Sequence, residues 1–265
     1  VIIIRVKATF QTQEPKNLPY NLNYLISSYL YQCISESNAE LGEWLHNQGI
    51  VFNKKNYKPL VFSNLFFQHK RNFSTHMEVK GACTLYIDSF RSDIIQHLIA
   101  GMWQKGALYL VDAQLPLMEV IIEPAITYQK VMDYQSLSPI VVSTIQDGRL
   151  HYAHPLESRF YDGLRRSIRN WYEIVWKEPF TEESEIHVEL LYPEKFQLKK
   201  AAVLATYKDK KIKGYHAPLR VTAPLKVQQV IYQTGISSFG SQGFSCVGLL
   251  SKGGEKTASQ NRVNR

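Results

Sequence analysis

Gly235-Ile-Ser-Ser-Phe-Gly-Ser-Gln-Gly-Phe-Ser-Cys-Val-Gly248 decides how this chain is read. The residues before it, Pro224 to Thr234, have the pattern of a helix, with proline at a position where a helix start tolerates it. The run after it, Phe244 to Leu250, is strand material. Glycine at a helix-to-strand junction lets the backbone turn sharply and leaves amides unshielded by side chains. Several such N–H groups close together make an anion-binding concavity. The same spacing also suits a plain flexible turn. Gly235 and Gly240 have the separation of a nucleotide P-loop, but that loop needs Lys and then Ser/Thr after its second glycine. Ser241 and Gln242 stand there instead, which excludes a Walker-type nucleotidase.

The charge asks for an anionic partner. The 265 residues carry a formal net charge of +8 and a pI of about 9.2. Residues 1–125 hold 11 Lys/Arg against 10 Asp/Glu, and residues 126–265 hold 20 against 13. Nine of these cations fall between Lys195 and Lys226, Lys199 and Lys200 among them, with Asp209 the one acid. Clustering of this kind is the electrostatic footprint of nucleic-acid binding. A solvated hairpin tip at Lys208-Asp-Lys-Lys211 is the competing explanation. Hydrophobic residues make up 45%, enough for a core. No apolar run approaches the roughly 20 residues that cross a bilayer, so no membrane partner is expected. Val1-Ile-Ile-Ile4, interrupted by Arg5 and Lys7, reads as a strand and not as a signal peptide. Three cysteines with no C-x-x-C pair argue against a disulfide framework or a zinc ribbon and fit the cytoplasm.

Periodicity predicts two similar halves. Val1 to Phe10 is a strand, and Pro15 to Pro19 a connector. Leu25, Ile26, Tyr29, Leu30, Cys33 and Ile34 form the stripe of an amphipathic helix. Ser37-x-x-Glu40 is a capping box that starts a short helix over 39–47, with Gly49 past its end. Strands follow at 59–67 and 78–88, a helix at 92–103, and strand material at 107–122. The second half repeats the order: a strand at 139–145, a long helix at 156–176, strands at 185–191, 201–207 and 212–221, a helix to Thr234, and the closing strand. This predicts an α+β fold of two tandem ferredoxin-like, RRM-like β-α-β-β-α-β domains, residues 1–125 and 126–252, with a disordered tail at 253–265. The halves join near residues 124–135. Proteins of this build use a sheet face or the groove between domains for single-stranded RNA. Arg159, Arg165, Arg166 and Arg169 on the long helix are candidates to line such a groove, or form a solvated helix face.

Cleaving RNA without a metal requires a base for the 2′-hydroxyl, an acid for the 5′-oxygen and positive charge at the phosphorane. Histidine suits the proton work. His46 lies at the end of the short helix, just before Asn53-Lys-Lys-Asn-Tyr-Lys58, whose lysines can reach the same phosphate. The helical wheel turns Tyr24 and Tyr31 away from the core, and large aromatics on an outward face need a reason. A capping role for His46 and a packing role for Tyr31 remain open. His151 and His154, on a hairpin edge, have no carboxylate or cysteine cluster at metal spacing, and no metal or cofactor is expected. His69 and His76 flank Lys70-Arg71 in a predicted loop.

These segments together resemble the CRISPR-associated endoribonucleases that process precursor CRISPR RNA, the Cas6 family of the repeat-associated mysterious protein (RAMP) superfamily, over roughly residues 1–251. The loop is similar to that family's glycine-rich signature at Gly235, Ile236, Gly243 and Phe244, with Ser237 and Ser245 in place of two glycines. Ser138-Pro139-Ile140 and the segment from Tyr57 to Ser63 also match. The resemblance implies a catalytic set of Tyr31, His46 and Lys58, with Lys54 and Lys55 as substitutes for Lys58. It implies RNA contacts through Lys54, Lys55, Arg159, Arg166, Arg169, Lys199, Lys200, Gly235, Ser237, Ser241 and Gly243. The implied reaction is metal-independent transesterification giving 5′-hydroxyl and 2′,3′-cyclic phosphate ends. Precursor and mature CRISPR repeat RNA are the implied partners, with CRISPR effector subunits and a second copy of the chain as further candidates. The alternative is a non-catalytic repeat-RNA-binding subunit of a CRISPR effector complex.

Overall fold

A computed structural model describes residues 5–181 and 185–250. The strand residues 1–4, the acids Glu182 and Glu183 and the predicted tail at 253–265 lie outside the described residues.

The first half runs β1 (Arg5–Leu18), α1 (Asn23–Ser37), α2 (Ala39–Asn47), β2 (Ile50–Phe52), β3 (Lys55–Tyr57), β4 (Val61–Phe62), β5 (Phe66–Asn72), β6 (Met77–Asp88), α3 (Ser92–Lys105), β7 (Ala107–Leu110) and β8 (Ala113–Ile122). Its sheet has the order β4-β6-β1-β8-β7, with β5 also paired to β6. With the β4–β5 segment counted as one strand, this is the ferredoxin-like arrangement: β1 and β6 are central, and α1 and α3 are the crossover helices. Both helices cover one face. Ile26, Leu30, Cys33 and Ile34 of α1 and Ile94, Leu98 and Met102 of α3 join Phe10, Leu85 and Ile87 of the sheet in one buried cluster.

The second half runs β9 (Val131–Ser136), β10 (Ser143–Gln146), β11 (Arg149–Tyr152), α4 (Ser158–Trp176), β12 (His187–Leu190), α5 (Leu198–Ala201), β13 (Ala202–Tyr207), β14 (Lys210–Tyr215), β15 (Leu219–Thr222), α6 (Leu225–Thr234) and β16 (Val247–Leu249). The sheet order β12-β15-β9-β16, with α4 and α6 as crossovers, repeats the same topology. Phe160, Leu164 and Ile168 of α4 and Val227, Val230 and Ile231 of α6 close a second core over Tyr134, Leu219 and Val221. The fold class is therefore α+β with tandem ferredoxin-like units.

Several elements differ from the sequence expectation. β1 continues through the predicted connector at Pro15–Pro19. Beyond Phe10 it pairs with β6 alone, and its register slips between Thr12 and Lys16. An edge position with a bulge is where a strand tolerates proline. The cap of α2 is Asn38 and not Ser37. Asn38 has extended backbone and accepts from Leu41 N at 3.0 Å, whereas Ser37 ends α1 and its hydroxyl meets His97 Nδ1 at 2.8 Å. The strand that opens the second sheet is β9, inside the predicted junction. Residues 139–145 contribute an isolated Ile140–Tyr215 bridge and the start of the β10–β11 hairpin. The run 212–221 is two strands that serve different sheets, and 107–122 is a hairpin. His69 lies on β5 and not in a loop, and the closing strand is Val247–Leu249 only.

The glycine-rich loop lies in the seam between the halves. Gly235 and Gly243 both adopt φ of +82°, and a Cβ at Gly243 would come within 2.6 Å of the Phe62 ring. Asn23 Nδ2 of α1 donates to the carbonyls of Gln242 (3.1 Å) and Gly243 (2.9 Å), and Ser27 Oγ to that of Ser241 (2.9 Å). The two serines at family glycine positions bind Val141: Ser237 Oγ donates to its carbonyl, and its amide donates to Ser245 Oγ. A buried ion pair of the first half also reaches across the seam through its arginine. Arg5 is ion-paired to Asp88, donates to the carbonyls of Tyr232 (3.1 Å) and Val247 (2.8 Å), and lies 3.7 Å over the Tyr232 ring.

Candidate active site

α2 is short, and its last turn delivers His46 to the surface beside the seam. Gly49, at φ +67°, lets the chain reverse into the β2–β3 hairpin, and Lys58 follows. The Lys58 ammonium then returns to α2, donating to the carbonyls of Leu45 and of His46, the latter at 2.5 Å. A cation on the terminal carbonyls of a helix offsets the negative end of its dipole. Burial lowers the Lys58 pKa from its ordinary value.

Tyr31 projects from α1 toward the same place. Its ring meets that of His46 edge-on, with centroids 5.7 Å apart. Burial pushes the Tyr31 phenol up to about 12, partly countered by a hydrogen bond with Ser241. At neutral pH it is therefore a proton donor. His46 Nδ1 lies 2.9 Å from Asn47 Oδ1. An amide oxygen only accepts, so Nδ1 is the donor, and in the neutral ring Nε2 is then the acceptor. Tyr31, His46, Lys58 and Ser241 line one open cleft of about 700 Å³. The catalytic set expected from sequence is thus brought together.

The expected RNA-binding residues divide. Lys55 and Arg166 line a second groove of about 400 Å³, which shares Lys58, Ser241 and Gln242 with the first. Lys54 is exposed at the β2–β3 turn with φ +60°. Arg159 is exposed at the start of α4, outside both clefts. Arg169 turns to the Phe180 ring, 5.8 Å away, and is absent from the groove lining. Lys199 and Lys200 are exposed on α5, away from both clefts. The glycine-loop expectation needs correction. Gly235, Ser237 and Gly243 are buried, and the amides of Ile236, Gly243, Phe244 and Ser245 donate to carbonyls within the protein. These groups pack within the seam; of the four residues, Ser241 lines both clefts and Ser237 lines the second groove.

Sequence reasoning also missed contributors. Lys208 and Tyr207 line the cleft beside Tyr24, the other outward tyrosine of α1, because the β13–β14 hairpin folds over α1, a tertiary event with no local signal beyond the basic cluster. Asn47 and Glu43 face it too. His151 and His154 do have a carboxylate. Glu157 bridges them, at 3.1 and 2.9 Å. Among the described residues, no group of three or more His, Cys, Asp or Glu side chains is arranged to hold a metal ion, and no helix is long and apolar enough to cross a membrane.

The fold is that of a tandem ferredoxin-like protein with a cleft at the seam of its two units, lined by a histidine, a tyrosine and lysines. Known families agree. Residues 17–121 match the family CRISPR-associated protein Cas6, N-terminal, and residues 121–249 match CRISPR associated protein Cas6, C-terminal. The chain belongs to the Cas6 family. It is 25% identical over 201 residues to CRISPR-associated endoribonuclease Cas6 1 of Methanocaldococcus jannaschii, covering 74% of this chain and 76% of that one. It is 22% identical over 243 residues to CRISPR-associated endoribonuclease Cas6 of Pyrococcus furiosus, covering 92% and 86%. A solved structure from the characterization of a Cas6-related gene from Pyrococcus furiosus superimposes with a TM-score of 0.81 at 18% identity, over 95% of this chain and all of that one.

Proposed function

We propose that this chain is an endoribonuclease that cuts the repeat of precursor CRISPR RNA by metal-independent transesterification. The ribose 2′-oxygen attacks the adjacent phosphorus, the bond to the 5′-oxygen breaks, and the products carry a 2′,3′-cyclic phosphate and a 5′-hydroxyl. His46, which lines the cleft, takes the 2′-hydroxyl proton through Nε2. The Tyr31 phenol, protonated at neutral pH, gives a proton to the departing 5′-oxygen. Proton transfers of this kind contribute roughly 10²–10⁴-fold. Lys58 holds the backbone at His46 and brings positive charge to that wall. RNA leaving the cleft follows the groove with Lys55 and Arg166. The observation that carries this reading is the edge-on pairing of His46 and Tyr31 beside Lys58 in one open cleft. The names borne by the two curated relatives support a CRISPR-associated endoribonuclease activity.

The test is cleavage of the host's own repeat RNA in EDTA, with ribose or 2′-deoxyribose at the scissile position. Wild type is expected to cut only the ribose substrate, and His46→Ala to bind it but cut far more slowly. A wild type that binds and never cuts refutes the catalytic roles and leaves an RNA-holding subunit.

A further inference from the structure

We propose that Lys208, at the corner of the β13–β14 hairpin, is a further active-site residue whose ammonium contacts the scissile phosphate. The proposal rests on the transesterification reading of the cleft and adds a residue to it from the second half of the chain.

The transition state places extra negative charge on the phosphate oxygens, and fixed positive charge aimed at them is the main electrostatic contribution a protein can make. Two lysines line the cleft with Tyr31 and His46. Lys58 has two of its three N–H groups on the carbonyls of Leu45 and His46. Lys208 is differently placed. Its Nζ lies 5.6 Å from the centre of the Tyr24 ring, and no carboxylate pairs with it among the described residues. Of the acids lining the same cleft, Glu36 is ion-paired to Lys105, and Glu43 stands on α2. Glu43 repels a phosphodiester, so a cation from the hairpin side offsets it.

The hairpin is anchored for this task. Ser27 Oγ donates to Ser241 O, so the Tyr207 hydroxyl is the donor to Ser27 Oγ, at 2.9 Å. Thr206 N donates to Asn21 Oδ1 at 3.1 Å, and the Tyr207 ring meets Tyr24 edge-on at 5.5 Å. Lys208 itself has φ +53°, a conformation that glycine or asparagine adopts with least strain in a two-residue turn. A lysine held there, over a ring that orients its stem, presents its charge to the cleft wall opposite α2.

The experiment compares wild type with Lys208→Ala, Lys208→Arg and Lys208→Cys. It measures single-turnover cleavage of the repeat RNA and affinity for its uncleavable 2′-deoxy form. Lys208→Ala is expected to slow cleavage by about 10²–10³-fold while affinity changes by less than about threefold. Lys208→Arg should retain most of the rate. Alkylation of the Lys208→Cys thiol with 2-bromoethylamine, which rebuilds a lysine-like amine, should restore it, since the three native cysteines are buried. A Lys208→Ala rate near wild type, or rate and affinity falling by one common factor, overturns the assignment and leaves the His46 reading intact. A wild type that leaves the ribose substrate uncut overturns both.

Discussion

Replacing Arg5 by Met isolates the energetics of the seam. Asp88 is fully buried, and its Oδ1 has no hydrogen-bond partner. Burial already pushes its carboxyl above the ordinary carboxylate range, with the Arg5 guanidinium pulling the other way. In Arg5→Met that opposing charge is gone, and the carbonyls of Tyr232 and Val247 lose the donor Nη2. Removing one partner of a buried ion pair costs about 3–5 kcal/mol, against a total stability of about 5–15 kcal/mol. For a chain of this size that lowers Tm by roughly 6–20 °C. The pH dependence has a definite sign. Without the guanidinium the folded carboxyl moves further above its unfolded value, so the folded state binds more protons and stability falls as pH rises. The deficit relative to wild type is therefore smaller at pH 5 than at pH 8. Urea unfolding at both pH values measures it, with the change in Cm at constant m giving the free energy. The double variant Arg5→Met/Asp88→Leu removes both charges and should be more stable than Arg5→Met. A loss below about 1 kcal/mol, independent of pH, would refute the argument that Arg5 compensates a buried charge.

Gly243→Ala forces a Cβ at φ +82° to within 2.6 Å of the Phe62 ring. Strain and overpacking together should cost about 2–5 kcal/mol in thermal or urea unfolding. Asn47→Leu removes the acceptor on His46 Nδ1 and should slow single-turnover cleavage about tenfold with little change in affinity, the outcome for a residue that sets a tautomer. Lys55→Ala should weaken RNA binding and reduce the slope of log affinity against log salt by about one, as for a phosphate contact. Tyr31→Phe should cut more slowly at neutral pH while folding normally, because it loses a hydroxyl and not packing volume.

How much of this was legible depended on whether the signal was local. The stripe of α1 and the end of α2 are local, so the sequence set Tyr31 on an outward face and His46 at a helix end, and the family resemblance joined them in one site. The choice of cap between Ser37 and Asn38 was not, because it turns on which backbone is extended, and the Ser37 hydroxyl is held by His97. β9 was hidden by its own polarity. Val131-Met-Asp-Tyr-Gln-Ser136 buries Met132 and Tyr134, while Asp133 pairs with Arg220 across the strands. The glycine-rich loop was located correctly, but how far it packs into the seam was not legible. Glycine permits both an open cradle and a close packing of backbone on side chains, and only the neighbours Phe62, Asn23 and Ser245 decide between them.

The position of the cleft follows from an exchange between the halves. The first half sends the β2–β3 hairpin onto the second core: Ile50, Phe52 and Tyr57 pack there, with the Tyr57 hydroxyl accepting from Asn170 at 2.9 Å and its ring edge-on to Trp171. The second half sends β13–β14 onto α1. One hairpin carries Lys55 and leads to Lys58, and the other carries Lys208, so cations from both halves border the joined grooves, while His46 and Tyr31 come from the first half alone. Gly243 and the Arg5–Asp88 pair fix the seam across which the hairpins reach. On the proposed roles, their substitution is expected to slow cleavage by shifting the second-half Lys208 relative to His46, without touching either residue. A seam variant that remains folded should lose cleavage rate with none of His46, Tyr31, Lys58 and Lys208 replaced, since Lys58 follows a hairpin packed on the second core and Tyr31 meets Ser241 of the loop.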